Sequence, residues 1–340
     1  MSFTTELNEP HQPDAAGAVR PKSVGAAVWA TIRLAVGIAL LVYLAKSRLI
    51  QFGELTKLFT AWPITLVALA LVFLDIFFMS VRLCWLFQPQ GLRLPLLRSL
   101  DLTLVSSFFA TFLPGAAGGD LAKLFYAAKE NKGRRAEIVT TIAFDRTVGL
   151  FSILLLPLLF APLFVPLIRS VPALRVLLAI TAALAAAMLA VFLLCLLSEA
   201  SMMRAAKWVS RVLPVRQLPK RVVASIAAYR GRWRVLLAAL AASLASNLTL
   251  IAATALAIFL LSPGSVSLKL CLVVPMGDVA NSLPLTPGGL GVGEAAFSAL
   301  FGIAGLRGGA EALLCWRVWR AMVGLVGLAI YLRGMRRAVF

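Results

Sequence analysis

The sequence predicts an all-α polytopic membrane protein. It has about six full transmembrane helices plus two re-entrant hairpins, eight hydrophobic units, arranged as an inverted-topology repeat. Three observations predict this. The 340 residues are 61% hydrophobic, with mean hydropathy +0.93, against roughly 45–50% apolar for a soluble domain. Several apolar runs exceed the ~18 residues that indicate a bilayer span. A Pro-Gly-x-x-Gly motif followed by an acid occurs twice, at Pro114–Asp120 and at Pro287–Glu294. Broken backbone survives at membrane depth only inside protein or along a wet cavity. Two breaks in corresponding halves are a sequence pointer to a transporter's binding site.

The elements follow in order. Residues 1–24 are polar and proline-bearing and read as a disordered cytoplasmic tail. Ala26–Leu44 is long enough to be a retained first span rather than a signal peptide. The further spans are Ile64–Phe87, Ile138–Phe160, Leu174–Leu197, Val235–Leu261 and Ala312–Leu332. Between the second and third, the chain rises through Ser99–Leu113, breaks at Pro114–Gly119 and returns through Asp120–Ala128. Between the fifth and sixth, it rises through Cys271–Leu285, breaks at Thr286–Gly291 and returns through Val292–Leu306. Fifteen helical residues reach only ~22 Å, short of a ~30 Å hydrocarbon core, so each arm reads as half of a hairpin.

Charge orients the chain. The net charge is +19. If both hairpins return to the side they entered, one face collects Arg20, Lys22, Arg93, the cluster Lys123, Lys129, Lys132, Arg134 and Arg135, the stretch Arg204–Arg234, and Arg333, Arg336 and Arg337. The other face keeps Lys46, Arg48, Lys57, Arg169, Lys269 and Arg307. The positive-inside rule then places both termini in the cytoplasm. Each half, about 25–170 and 171–335, crosses an odd number of times, so the second is upside down relative to the first. The linker 201–233 carries Arg204, Lys207 and Arg211 on one helical face and reads as an amphipathic piece on the inner leaflet. A solvated cytoplasmic helix is the other reading of it. The cations imply contact with anionic lipid, not nucleic acid.

Charges inside apolar spans are costly and mark candidate sites. Asp75 and Arg82 share a face of the second span, Asp145-Arg146 lies in the third, and Arg317 and Arg320 lie one turn apart in the last. Asp101 and Asp278 sit on the rising arms, and Asn247 is mid-span. Arg33 and Arg82, near span ends, read as snorkelling or internally paired. The others pair each broken tip with an arginine, whose planar fork matches phosphate. The half-helix after the break adds free N–H groups and a positive dipole end. Candidate head-group residues are therefore Pro114, Gly115, Gly118, Gly119, Asp120 and Arg146 at one tip. At the other they are Pro287, Gly288, Gly289, Gly291, Glu294, Arg317 and Arg320. Asp75 and Asp145 are candidates for charge balance or a coupling proton. A shaping role for the glycines and prolines is the alternative.

No metal or cofactor site is expected. Cys84, Cys195, Cys271 and Cys315 stand singly in apolar runs, and His11, the sole histidine, lies in the polar tail. The chain has no P-loop, G-x-S-x-G or H-E-x-x-H motif, so no catalytic residue is assigned.

Three blocks occur in order: Phe108–Pro114 with Gly118-Gly119-Asp120, then Phe144–Leu150, then Leu283–Ala296. Together they resemble the signature of the lysylphosphatidylglycerol synthase transmembrane-region family, a flippase-like domain related to the membrane half of the multiple peptide resistance factor. The likeness covers most of residues 25–335. That family's pattern usually has Glu-Arg where this chain has Asp145-Arg146. The resemblance implies a bacterial-type inner-membrane protein that translocates a phosphate-bearing or amino-acylated lipid. The aminoacyl-transferase domain of the full synthase is not expected here, so the chain is expected not to be an enzyme. Two other readings stay open: a partner or scaffold subunit for a lipid-modifying enzyme, and a membrane-embedded lipid transferase.

Overall fold

The computed structural model describes residues 60–112, 118–131, 133–197, 224–282, 286 and 289–337. The expected tail, the first span Ala26–Leu44, most of the linker 201–233, and Pro114, Gly115, Pro287 and Gly288 lie outside the described residues.

Described in chain order, the long and short helices are α1 Trp62–Phe87, α2 Leu96–Phe112, α3 Gly118–Glu130, α4 Arg135–Phe160, α5 Val165–Ser170, α6 Pro172–Leu197, α7 Trp233–Leu261, α8 Leu270–Asn281, α9 Val292–Ile303 and α10 Gly309–Arg337. Short 3₁₀ turns follow α1, α4 and α7. Runs of Leu, Ala, Val and Ile with few polar breaks favour helix here, because a helix satisfies its backbone groups within a single segment in lipid. Among the described residues, five helical segments are long and apolar enough to cross a membrane: Trp62–Gln90, Arg135–Ser170, Pro172–Leu194, Trp233–Leu261 and Gly309–Gly334. They match the second to sixth predicted spans. The four arms α2, α3, α8 and α9 are shorter, with 17, 13, 12 and 12 residues. At 1.5 Å per residue they reach about 18–26 Å, which suits half-depth hairpins better than full crossings.

The centre of the bundle is the α1–α7 pair. Asp75 of α1 accepts a bond from Ser246 of α7, while Arg82, two turns on, donates to Ser243 at 2.9 Å. Residue numbers rise on one helix as they fall on the other, so the pair is antiparallel. Ala68, Val72 and Ile76 of α1 join Ala253, Ala257 and Ile258 of α7 in one buried core with α8, α9 and α10. The first hairpin leaves from the C-terminal end of α1 and the second from the C-terminal end of α7. Their bases therefore lie at opposite ends of the central pair.

Neighbour relations share a pattern. α1 packs on α2, α4, α7 and α10, and α7 packs on α8, α10, α1 and α4. Each hairpin packs within itself, α2 on α3 and α8 on α9, and its return arm packs on the span that follows, α3 on α4 and α9 on α10. The rising arms cross over: α2 packs on α10 and α8 on α4. Exchanging α1 with α7, α2 with α8, α3 with α9 and α4 with α10 turns each of these pairs into another pair on the same roster. By contrast, α6 is peripheral, with Val176, Ile180, Leu184, Val191 and Leu194 exposed. An apolar face of this kind is what a lipid-facing helix presents.

Small residues allow the arms to close. A Cβ on Gly119 would lie 2.7 Å from the Ser106 carbonyl, and one on Gly277 would lie 2.7 Å from the Phe297 ring. Gly327 of α10 sits against the Leu104 backbone of α2 with no room for a side chain. Close backbone approach through glycine is a general means of helix association in membranes.

Candidate functional site

The first hairpin is tied to the bundle by ion pairs. At the start of α3, Asp120 accepts from Arg146 of α4. One turn further in, Lys123 Nζ lies 3.4 Å from Asp145 Oδ2. The other oxygen of Asp145 accepts from Arg82 Nε at 2.6 Å. Asp145, Lys123 and Arg82 are all buried, at 3%, 3% and 5% exposure. Gly149, one turn beyond Asp145, leaves the space that the Arg82 guanidinium fills; a Cβ there would be 3.0 Å from Arg82 Nη1. The Asp120–Arg146 pair is partly open, with side chains 29% and 43% exposed. The result is a ladder of charges running from the surface to α7.

The second hairpin repeats the plan with different residues. Gly291 precedes α9 at φ +79°, a left-handed conformation that glycine adopts without a Cβ clash. Its N–H donates to Glu294 Oε2 at 2.7 Å. The other carboxylate oxygen of Glu294 lies 2.7 Å from Arg317 Nε of α10. Arg317 Nη2 donates to Asn281 Oδ1 at 2.7 Å, and Asn281 Nδ2 donates to Asp278 Oδ1 at 2.9 Å. Arg320 reaches across to Asp75 at 3.4 Å, and its guanidinium lies 5.8 Å from the Trp316 ring centroid. Glu294 is fully buried. Gly289 and Gly293 give Asn281 its room: a Cβ on either would come within 2.6 Å of its side-chain oxygen.

Thus each return-arm acid, Asp120 or Glu294, is ion-paired with an arginine of the following span. The sequence suggests an arginine at each tip; the structure places Arg146 on Asp120 and Arg317 on Glu294, at the starts of the two return arms. It corrects the electrostatic state. Arg146, Arg317 and Arg320 are not bare anion receptors, because each already faces a carboxylate. Arg82 does not snorkel; it is an internal partner of Asp145, and Asp75 pairs with Arg320 instead of with the Arg82 of its own face. Lys123, grouped by charge counting with the cytoplasmic loop cations, is buried. Its spacing of three from Asp120 on the return arm was the available signal, since i and i+3 share a helix face. Ser243 and Ser246, three apart in an apolar run, could be found the same way. Asp101 stands apart at the hairpin base, 3.5 Å from Arg98 and well exposed. Asn247 donates to Ser152 at 2.8 Å, joining α7 to α4. Gly118 and Gly119 open α3, with Gly119 buried against α2.

The described end of the linker docks on the bundle. Tyr229 stacks on Phe144 at 4.3 Å and its hydroxyl donates to the Leu86 carbonyl at 2.8 Å. Gln90 donates to the Ser225 carbonyl at 2.7 Å. Among the described residues there is no group of three or more His, Cys, Asp or Glu side chains placed to hold a metal.

No curated protein and no solved structure matches the chain. A family model does, the one described as the lysylphosphatidylglycerol synthase TM region, and it spans residues 30–330. That span takes in both hairpins, four of the described crossing helices and most of the fifth, so the chain belongs to the lysylphosphatidylglycerol synthase transmembrane-region family.

Proposed function

We propose that this protein is a flippase-like lipid translocator of a bacterial-type inner membrane, with both termini cytoplasmic. Its substrate is a lipid with a phosphate-bearing or amino-acylated head group. One observation carries the reading. Two short broken hairpins stand at opposite ends of the bundle, and each return-arm acid is ion-paired with an arginine of the next span. The carboxylate acts as a resident counter-ion that keeps the arginine neutralised while no lipid is bound. A lipid phosphate replaces it, because the guanidinium fork fits either group. A site that trades one anion for another at low cost can release as well as bind.

The test is reconstitution in liposomes with head-group-labelled lipids. Wild-type protein is expected to speed transbilayer exchange of an anionic phospholipid, and Arg146→Ala to slow it at least about tenfold, the effect of losing ~1.4 kcal/mol in the limiting step. Absence of exchange with every anionic lipid tried would overturn the proposal.

A further inference from the structure

The two hairpins differ in charge, and the difference assigns them different ligands. Around the first, Arg82, Lys123 and Arg146 meet only two carboxylates, Asp120 and Asp145. No other described acid makes up the difference. Glu137, two turns back along α4, is held by Arg134 at 3.7 Å, and at the exposed base of the hairpin Arg98 meets two acids, Asp101 and Glu130, whose one surplus carboxylate lies outside the buried ladder. In ordinary charge states the ladder is one negative charge short. The shortfall lies at depth, where Lys123 and Arg82 share a single carboxylate and all three groups are buried. An uncompensated buried charge costs several kcal/mol, so the ladder has a strong electrostatic preference for one further anion. Around the second hairpin the sign is opposite. Asp75, Asp278 and Glu294 meet Arg317 and Arg320, so one carboxylate is in excess.

We propose that the first hairpin alone is the phosphodiester site, with Lys123 and Arg82 as head-group ligands beside Arg146. A phosphodiester carries a single negative charge, the amount the ladder lacks. Arg146, partly exposed, receives it first, and the Lys123 ammonium, which among the described residues donates one bond at 3.4 Å, supplies the inner donors. The second hairpin repels the same group. This rests on the translocator reading and narrows it, since that reading allows a phosphate at either tip.

Binding is measured apart from transport, by native mass spectrometry of the full chain in detergent. Phosphatidylglycerol is compared with diacylglycerol of the same chains, and dimethyl phosphate is added as a soluble competitor. Wild type is expected to retain phosphatidylglycerol in preference to diacylglycerol. Lys123→Gln should weaken that preference at least about tenfold. Lys123→Arg should keep it, and so should Lys129→Gln on the exposed side of α3. Displacement of the lipid by dimethyl phosphate marks the phosphodiester as the recognised group; lack of displacement, with phosphatidylglycerol and diacylglycerol held equally, overturns the proposal. So does undiminished preference in Lys123→Gln. Thermal unfolding of each variant separates lost binding from lost fold, and Lys123→Met, which removes the charge and keeps the apolar stem, serves if Lys123→Gln does not fold. Lipid exchange that persists in Lys123→Gln defeats this assignment while sparing the translocator reading. Binding without any exchange does the reverse.

Discussion

Asp145 is the residue on which the first cluster depends. It is buried and accepts from Arg82 at 2.6 Å while facing Lys123 at 3.4 Å. Asp145→Asn would leave two buried cations without a counter-charge. Breaking a buried pair by removing one partner typically costs about 3–5 kcal/mol. Thermal unfolding in detergent should therefore show a large drop for Asp145→Asn. Lys123→Met should be near neutral or stabilising, because it removes the surplus charge and keeps the apolar stem. Equal melting of Asp145→Asn and wild type would refute the count of charges. At this scale the sequence was half legible. Charges in apolar runs marked Asp75, Asp145, Arg146, Arg317 and Arg320 as unusual, since insertion penalises them. Their pairing was not legible, because which acid meets which base depends on helix rotation and crossing. Asp75 and Arg82 share a face of one helix, yet their bonds run to Arg320 and Asp145 on two others.

The hairpin arms are the elements under the tightest packing. Gly119 and Gly327 bring α3 and α10 against the backbone of α2. Gly327→Val would force a branched side chain into the Leu104 carbonyl, and overpacking of this kind costs roughly 1–3 kcal/mol or more. It should lower the melting midpoint far more than Gly334→Val, where the space is open. Comparable midpoints for the two variants would count against the close α2–α10 contact. Gly291→Ala is a second test of an element. At φ +79° an alanine is strained by roughly 1–2 kcal/mol. The variant should disturb the Gly291–Glu294 bond and reduce activity, with Gly302→Ala as the neutral control. Element boundaries were the most legible part of the fold. Length and hydropathy located the five described spans within a few residues. The four short arms also emerged, because Pro-Gly breaks cut apolar runs below spanning length. Their contacts needed the structure: α2 belongs as much to α10 as to its own hairpin.

For the whole molecule, the opposed hairpins fix what accessibility experiments should find. Arg134 sits beside the base of the first hairpin, bonded to the Gln90 carbonyl at 2.6 Å, and Arg307 lies exposed beyond α9 near the base of the second. In the proposed orientation, a cysteine at position 134 should resist impermeant reagents applied outside intact cells. A cysteine at 307 should label readily. The reverse pattern would invert the proposed orientation, and equal labelling from one side would rule out opposed hairpins. Charge alone led to the expectation of an odd crossing count in each half, and so of opposed hairpins; the first of those spans lies outside the described residues. The crossed contacts between halves were not readable, since neither hydropathy nor loop charge reports which helices touch.

One helix carries a partner for both clusters. Arg82 of α1 serves the first hairpin and Asp75 of α1 serves the second, seven residues apart, or ~10 Å along the axis. A helix that short behaves as a stiff rod. If α1 slides or rolls to loosen Arg82 from Asp145, it carries Asp75 with it against Arg320. Emptying one pocket and resetting the other would then be a single mechanical stroke, needing no chain of side-chain rearrangements to relay it.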